Sequence, residues 1–346
     1  MKTKHLFFLL VTVSAMATNA TAYTLSIDPA AVSMSFDQFN DGTDTTTGFN
    51  NMATAGEAGG VSSVTVNPGA ADPQFQVPTP GAAFSTATHP YFRIQAQRSA
   101  GGAPDGIFPL PPAGATKIGY DAPGSFSESQ FAFINTAPGV NGTGFRIDPI
   151  NGGTAGTETF DVDYIWLDQY QTIGLGEFDR DGGFDGWTAS ANGHLSGGTV
   201  SAATGTFQAT TSGNDPVLQK AGLNYDTNLY TNIEISLALD PASTSRFEFF
   251  WGTSTFPGPA GGQSIGITSE LIRDGNLHTY RFDMSDEASW DGNLNILRLD
   301  LLADADAAAG RSVEVGHVRL IAAIPEPSST LLVFGALAAM TFRRRR

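Results

Sequence analysis

The sequence contains no cysteine among its 346 residues. Disulfides, thiolate zinc sites and thiol nucleophiles are therefore excluded, and the fold must be held by its hydrophobic cores, alone or with bound ions. Basic residues are also scarce, since 18 Lys and Arg stand against 34 Asp and Glu. This acidity argues against nucleic acid and anionic membrane surfaces as partners, and it favours solubility, divalent cations or neutral sugars.

Motifs of catalysis are few. None of the five histidines has another histidine two or four residues away, so no helical metalloenzyme motif is present. The segment at 262–266, GQSIG, matches the G-x-S-x-G pattern, with Asp274 and His278 downstream. That pattern needs a strand, a sharp turn and a helix around its serine, whereas here a strand and a turn are expected to follow. We therefore expect no enzyme activity.

Short apolar runs dominate what is present. Several of them alternate with period two, and 40 Gly and 19 Pro separate them. This pattern is typical of β-strands joined by turns. No stretch between the two termini shows sustained helical periodicity with caps. We predict an all-β fold of antiparallel sandwiches.

The chain also repeats itself in a fixed order, which indicates two homologous units. The matching segments are FD at 36–37 and 178–179, ADPQFQ at 71–76 and NDPVLQ at 214–219, RIQAQ at 93–97 and RFEFF at 246–250, and FRID at 145–148 and LRLD at 297–300. We predict β units at residues 23–174 and 175–323. The joint is predicted at 171–176, where limited proteolysis should cut.

The second unit carries the repeated pattern most fully. It includes Phe184-Asp185-Gly186-Trp187, Asp215-Pro216 and Trp290-Asp291-Gly292. This order resembles the galactose-binding-like and carbohydrate-binding jelly-roll modules of secreted glycosidases and bacterial surface proteins. The resemblance implies two tandem antiparallel jelly-roll β-sandwiches and, more weakly, contact with carbohydrate.

Residues 1–22 have the parts of a secretory signal peptide. Lys2 and Lys4 precede a mostly apolar run, and Ala20-Thr21-Ala22 fits a small-x-small cleavage site. Cleavage after Ala22 would start the mature chain at Tyr23. We therefore expect the protein to be exported.

Residues 324–346 form a second, C-terminal signal. Pro325, Glu326 and Pro327 precede a short apolar run that ends in Arg343, Arg344, Arg345 and Arg346. The run predicts a short hydrophobic helix, shorter than the about 20 residues of a stable span, and the arginines would stay on the cytoplasmic side. The order resembles a PEP-CTERM sorting signal. The resemblance implies transient membrane insertion, recognition by an exosortase-type peptidase and final placement on or outside a Gram-negative cell that makes exopolysaccharide.

Three tryptophans of the second unit are candidates for stacking on sugar rings. Trp187 and Trp290 belong to the repeated pattern and suit a core, because buried aromatic rings contribute much apolar area. Trp251 lies beside the Gly- and Pro-rich loop at 252–262 and is the predicted ligand residue. A sugar-binding unit needs this ring exposed, whereas a structural unit needs it buried.

Carboxylates cluster in the turn near the start of each unit, and Asp163, near the end of the first unit, would complete a site in that unit. The candidate ligands are Asp37, Asp41, Asp163, Asp179, Asp181 and Asp185. Oxygen ligands suit calcium, and the jelly-roll resemblance implies a structural calcium between the first and last strands. The turn departs from the EF-hand loop, so a solvated turn is the alternative. No cofactor is otherwise required.

These signals favour a non-catalytic surface or extracellular-matrix protein associated with exopolysaccharide, as in a biofilm. The alternative is a structural or adhesive surface protein that binds no glycan. A polysaccharide-acting enzyme is less favoured, since it would need two carboxylates facing each other across a groove.

Overall fold

The computed structural model describes residues 23–37, 47–67, 73–78, 84–99, 106–110, 125–133, 139, 141–149, 158–189, 194–259, 262–303 and 310–323. The predicted signal peptide and sorting tail lie outside these residues. In the described part, no helix has the length and apolarity needed to span a membrane. The predicted all-β fold is confirmed there.

Thirteen of the described strands precede residue 170. They are β1 (Thr24–Ile27), β2 (Ser33–Asp37), β3 (Thr47–Asn50), β4 (Met52–Ala58), β5 (Val61–Val66), β6 (Gln74–Pro78), β7 (Phe84–Ser85), β8 (Tyr91–Arg98), β9 (Gly106–Leu110), β10 (Ser127–Ala132), β11 (Asn141–Gly142), β12 (Gly144–Asp148) and β13 (Glu158–Asp168).

Eleven further described strands follow. They are β14 (Thr172–Gly176), β15 (Thr188–Ala189), β16 (Leu195–Ser201), β17 (Thr206–Thr211), β18 (Val217–Asp226), β19 (Asn232–Leu239), β20 (Arg246–Thr253), β21 (Ser264–Ile267), β22 (His278–Asp283), β23 (Asn293–Ala303) and β24 (Ser312–Ile321).

Local sequence accounts for these strands. In β6 the apolar Phe75 and Val77 are buried and alternate with half-exposed glutamines, as expected for a strand with one face on a core. The β4–β5 hairpin turns at Gly59 and Gly60, whose φ angles of 60° and 78° lie in the left-handed region that glycine adopts at little cost. The alternation and turn signals therefore locate the strands correctly.

Each unit is a sandwich of two sheets, and the two units share one strand order, except that β21 of the second unit has no counterpart in the corresponding described sheet of the first. In the first unit, the sheet β10-β8-β13-β5-β4 packs on β3-β6-β12-β9. In the second, β22-β19-β24-β17-β16 packs on β15-β18-β23-β20-β21. Strand β2 pairs with β13 in the first unit, as β14 pairs with β24 in the second. The tandem repeat is thus a repeat of topology.

The repeated Arg-x-Asp segment has the same geometry in both units. Arg146 in β12 donates two hydrogen bonds of 2.6 Å to Asp148. Arg298 in β23 donates bonds of 2.6 and 2.8 Å to Asp300. Strand β12 pairs with β6 as β23 pairs with β18, the strands that follow the two Asp-Pro segments. This part of the sequence match is confirmed.

One segment match is wrong. The RIQAQ segment lies in β8, which pairs with β10 and β13. The RFEFF segment lies in β20, which pairs with β21 and β23 in the opposite sheet of its sandwich. By its place in the sheet, β8 corresponds to β19. Strands with alternating apolar and polar residues occur in both sheets of a sandwich. The sequence match alone therefore did not show to which sheet each segment belongs.

Two stretches cross the predicted boundary between the units. Strand β1, predicted in the first unit, pairs with β22 of the second unit. Residues of the predicted joint form β14, which pairs with β24, and Thr172 is fully buried. The joint is therefore a strand of the second unit's sheet and not an exposed linker.

A buried ion network connects the two units at their shared boundary, which we call the seam. Arg93 of β8 lies 2.9 Å from Asp168 and 2.5 Å from Glu177. Glu177 also accepts a 2.8 Å bond from Arg319 of β24, whose guanidinium lies 4.3 Å from the Trp166 ring centroid. Burial alone would raise the pKa of Glu177, but the two arginines lower it to about 2. The seam is thus a packed interface between the units.

Candidate functional site

A cleft of about 480 Å³ opens at the seam. The first unit contributes residues of β8 and of the start of β10, and the second contributes β14, the turn at 180–186 and β18. The lining side chains are Gln95, Phe126, Ser127, Glu128, Arg180, Phe184, Asp185, Lys220 and Tyr225. A ligand in this cleft would therefore contact both units.

Three aromatic rings line the cleft, and all three are half-buried: Phe126, Phe184 and Tyr225. Two of them rest on rings of the second unit. Phe184 packs edge-on against Phe207 with centroids 6.0 Å apart, and Tyr225 packs against Tyr230 at 6.2 Å. The rings are thus backed by protein on one side and partly open on the other. Such surfaces suit the apolar faces of a sugar ring.

Two carboxylates of the cleft are held by donors. Glu128 accepts hydrogen bonds from the Tyr164 hydroxyl at 2.5 Å and from the Gly174 amide at 3.1 Å. Burial raises the pKa of Glu128, although the nearby Arg93 opposes this. The Oδ2 atom of Asp185 accepts a 2.9 Å bond from the Glu177 amide. Both side chains are therefore fixed in position before any ligand arrives.

The two cations of the cleft are also engaged. Lys220 donates a 2.6 Å hydrogen bond to the Leu175 carbonyl, and burial lowers the pKa of its amine. Arg180 lies 2.9 Å from Asp163 and places its guanidinium 4.2 Å from the Phe126 centroid. The cleft therefore combines apolar rings with a rigid and internally paired set of polar groups.

The predicted calcium ligands separate into different roles. Asp41 lies outside the described residues, as does the side chain of Asp37. Asp181 accepts a 2.7 Å bond from the Ala202 amide, and Asp185 accepts a 2.9 Å bond from the Glu177 amide. Asp163 was predicted to complete a site in the first unit, but its carboxylate contacts Arg180 of the second.

Asp163 and Asp179 form a buried carboxyl pair beneath the cleft. Both are essentially inaccessible, and Asp163 Oδ1 and Asp179 Oδ2 have no hydrogen-bond donor. Arg180 supplies the nearby positive charge, and no group of three His, Asp or Glu in the described residues is arranged to hold a metal ion. The donor set around this pair does not fit calcium, because a guanidinium already lies among the carboxylates.

Trp251 does not line the cleft. Its side chain is 1% exposed and packs at right angles to Trp290 with centroids 5.9 Å apart. Its indole nitrogen donates a 3.1 Å bond to the Ser289 carbonyl. The prediction that Trp251 contacts a ligand is therefore wrong. Its neighbouring Gly-rich loop suggested exposure, but period-two alternation in β20 turns this ring inward.

The G-x-S-x-G segment is structural. Ser264 begins β21 and lies opposite Phe250. The ring nitrogens of His278 contact Asp28 at 2.8 Å and Asp274 at 3.1 Å. Within the described residues, the serine has neither the strand–turn–helix setting nor the histidine that this chemistry requires.

The sequence did not identify Phe126, Tyr225 and Lys220 as site residues. They are far apart in the chain and meet only where the units pack together. The sequence did single out one part of the cleft. The turn at 179–187, DRDGGFDGW, contributes Arg180, Phe184 and Asp185 to it. Its abundance of glycine and carboxylates suggested a metal loop, whereas in the structure it forms a cleft wall.

No known family model matches the chain, and no curated protein matches it. Among solved structures, a mutant of a family 29 carbohydrate-binding module matches at 10% identity with a TM-score of 0.30, over 43% of this chain and 90% of the module. A family 30 module matches at 8% identity with a TM-score of 0.24, over 40% and 84%. What the cleft binds has to follow from its own residues.

Proposed function

We propose that the protein is a non-catalytic glycan-binding protein and that the seam cleft holds the glycan. The observation that supports this most is the combination of three half-buried rings with fixed carboxylates in one cleft. Aromatic surface and a few oriented polar groups are the usual means of holding a small polar ligand. The resemblance of the sequence to carbohydrate-binding jelly rolls points the same way.

A binding role suits the cleft carboxylates better than catalysis. Glu128 accepts bonds from a hydroxyl, an amide and a guanidinium. A general acid has to hold a proton and deliver it to the substrate. Although burial raises the pKa of Glu128, its oxygens already face three donors, so this carboxylate suits the role of a fixed acceptor. This is the basis for proposing no enzymatic activity.

A Tyr225→Ala variant tests the site. We expect a loss of affinity of about fivefold or more for a glycan found by array screening, since a central aromatic contact is commonly worth about 1 kcal/mol or more. Phe256→Ala is the matched control, because that ring is 38% exposed and lies outside the cleft. Equal affinities of the two variants, measured by titration calorimetry, would contradict the assignment.

We also propose that the protein is exported and sorted to the surface or matrix of an exopolysaccharide-making cell. The signal-peptide pattern before Tyr23 and the Pro325-Glu326-Pro327 tail support this. The intact mass of the released protein tests it. A mass that starts at Tyr23 and lacks Arg343 to Arg346 is expected. A retained arginine tail would contradict processing by an exosortase-type peptidase.

A structural or adhesive surface protein is the second candidate. The burial of Trp187, Trp251 and Trp290 favours it, because all three rings serve the core of the second unit. Their indole nitrogens donate to main-chain carbonyls. If folded protein gives no signal on a glycan array, the structural or adhesive role is favoured over glycan binding.

A further inference from the structure

The charges of the seam cleft bear on the class of sugar that it holds. The ammonium of Lys220 is directed at the Leu175 carbonyl, 2.6 Å away, and its side chain is mostly buried. Arg180 is committed to Asp163 at 2.9 Å and to the ring of Phe126. An anionic sugar would have to compete with these internal partners, and a charge-assisted bond is not easily replaced.

Two carboxylates lie in the wall of the same space, Glu128 and Asp185. The Oδ1 atom of Asp185 lies 3.8 Å from Arg180, beyond hydrogen-bond distance, so it is the better placed of the two carboxylate oxygens to accept a bond from a ligand. Acceptors of this kind favour hydroxyl groups and repel carboxylates or sulfates.

The glycine-rich wall leaves room for a ligand. Gly182 and Gly186 have φ angles of 69° and 78°, and a Cβ atom at Gly182 would meet nothing within 4 Å. Main-chain groups of the turn are thus open to close approach by a ligand. The whole chain has a net charge of −16, which further disfavours acidic polymers.

We infer that the seam cleft selects uncharged sugar units and discriminates against uronic and sulfated sugars. This inference rests on the proposed glycan-binding function and names the ligand class of the same site. It assigns Asp185 and Glu128 as acceptors and the rings of Phe184 and Tyr225 as the apolar surface. Gln95, which lies beside Glu128 on the wall that the first unit contributes, is the position at which an added charge would change the preference.

The test is titration calorimetry of the processed protein with two series of hexasaccharides. One series contains neutral glucose, mannose and galactose oligomers, and the other contains galacturonate and mannuronate oligomers. We expect at least one neutral oligomer to bind at least about tenfold more tightly than every uronate, with little dependence on salt. Tighter binding of uronates would overturn the inference and leave glycan binding intact. Binding of neither series would overturn the proposed function itself.

A gain-of-binding variant tests the electrostatic cause. Gln95→Lys adds a cation to the cleft wall, and we expect it to strengthen uronate binding about five- to tenfold at low salt and less at high salt. Gln169→Lys adds the same charge at a half-buried position outside the cleft lining. An equal gain in both variants would show a general charge effect and overturn the assignment to the cleft.

Discussion

Arg93 of the first unit and Glu177 of the second lie 2.5 Å apart in a place from which solvent is excluded. Each residue has further partners of opposite charge, Asp168 for Arg93 and Arg319 for Glu177. Buried charges are stable only when they are paired, and removing one partner leaves the others uncompensated. The two units are therefore expected to depend on one another energetically.

Replacement of Arg93 measures this dependence. We expect Arg93→Met to lower the free energy of unfolding by about 3–5 kcal/mol, because the buried Asp168 loses the cation that it pairs with and Glu177 loses one of its two arginines. Urea unfolding gives the value. Arg246→Met is the control, since its side chain is 45% exposed and pairs with Glu248 at the surface, where about 1 kcal/mol or less is expected. Similar losses in both variants would contradict the role of the seam.

Limited proteolysis tests the joint. Because β14 is hydrogen-bonded to β24 and Thr172 is buried, we expect no cut within 172–176 in the native protein. Mass spectrometry of the fragments identifies the cut sites. Two stable fragments that meet inside this stretch would show that the units separate at the joint, as the sequence predicts.

The sequence predicted the parts of this molecule that depend on local pattern. Alternation located the strands, and the repeat of Arg146-x-Asp148 as Arg298-x-Asp300 predicted the second unit. It could not predict the cleft, since Phe126 and Tyr225 meet only through packing of the units. It also misplaced Trp251, because a flexible-looking neighbouring loop says little about which face of a strand a ring occupies.

The buried pair beneath the cleft predicts an unusual pH dependence. Burial raises the pKa of Asp163 to about 7, with Arg180 opposing the shift and Asp185 adding to it. Between the two pKa values, Asp163 of the folded protein thus holds a proton that the unfolded chain has already released, because the unfolded carboxyl keeps its ordinary pKa of about 4. Stability from this proton is present below about pH 4 and is lost as the pH rises to about 7.

Asp163→Asn should remove this component. The amide resembles the protonated acid, so we expect the free energy of unfolding to depend less on pH between about 4 and about 7 than in the wild type. Urea unfolding across this range provides the comparison. Asp286→Asn, at an exposed position, is the control. An unchanged slope in Asp163→Asn would show that Asp163 does not hold the extra proton.

The first strand is tied to the second unit by Asp28. Its Oδ1 atom accepts a 2.8 Å bond from the Thr279 amide, and its Oδ2 atom lies 2.8 Å from His278 Nδ1. The hydrogen bond to Asp28 is the main cause that raises the pKa of His278 above its ordinary value. This contribution to stability is complete below about pH 6.5 and is lost as the pH rises through the raised pKa.

Asp28→Asn separates charge from shape at this position. Asparagine tolerates the φ of 45° found here and can still accept the bond from Thr279, but it cannot ion-pair with a protonated His278. We expect hydrogen exchange of the β1 and β22 amides, corrected for intrinsic rates, to lose most of its pH dependence. The effect should be about 1 kcal/mol or less, since the Asp28 side chain is 51% exposed. Asp274→Asn removes the other partner of His278 without touching β1. If it changes β1 exchange as much as Asp28→Asn does, the histidine acts on the second unit as a whole and not through the first strand.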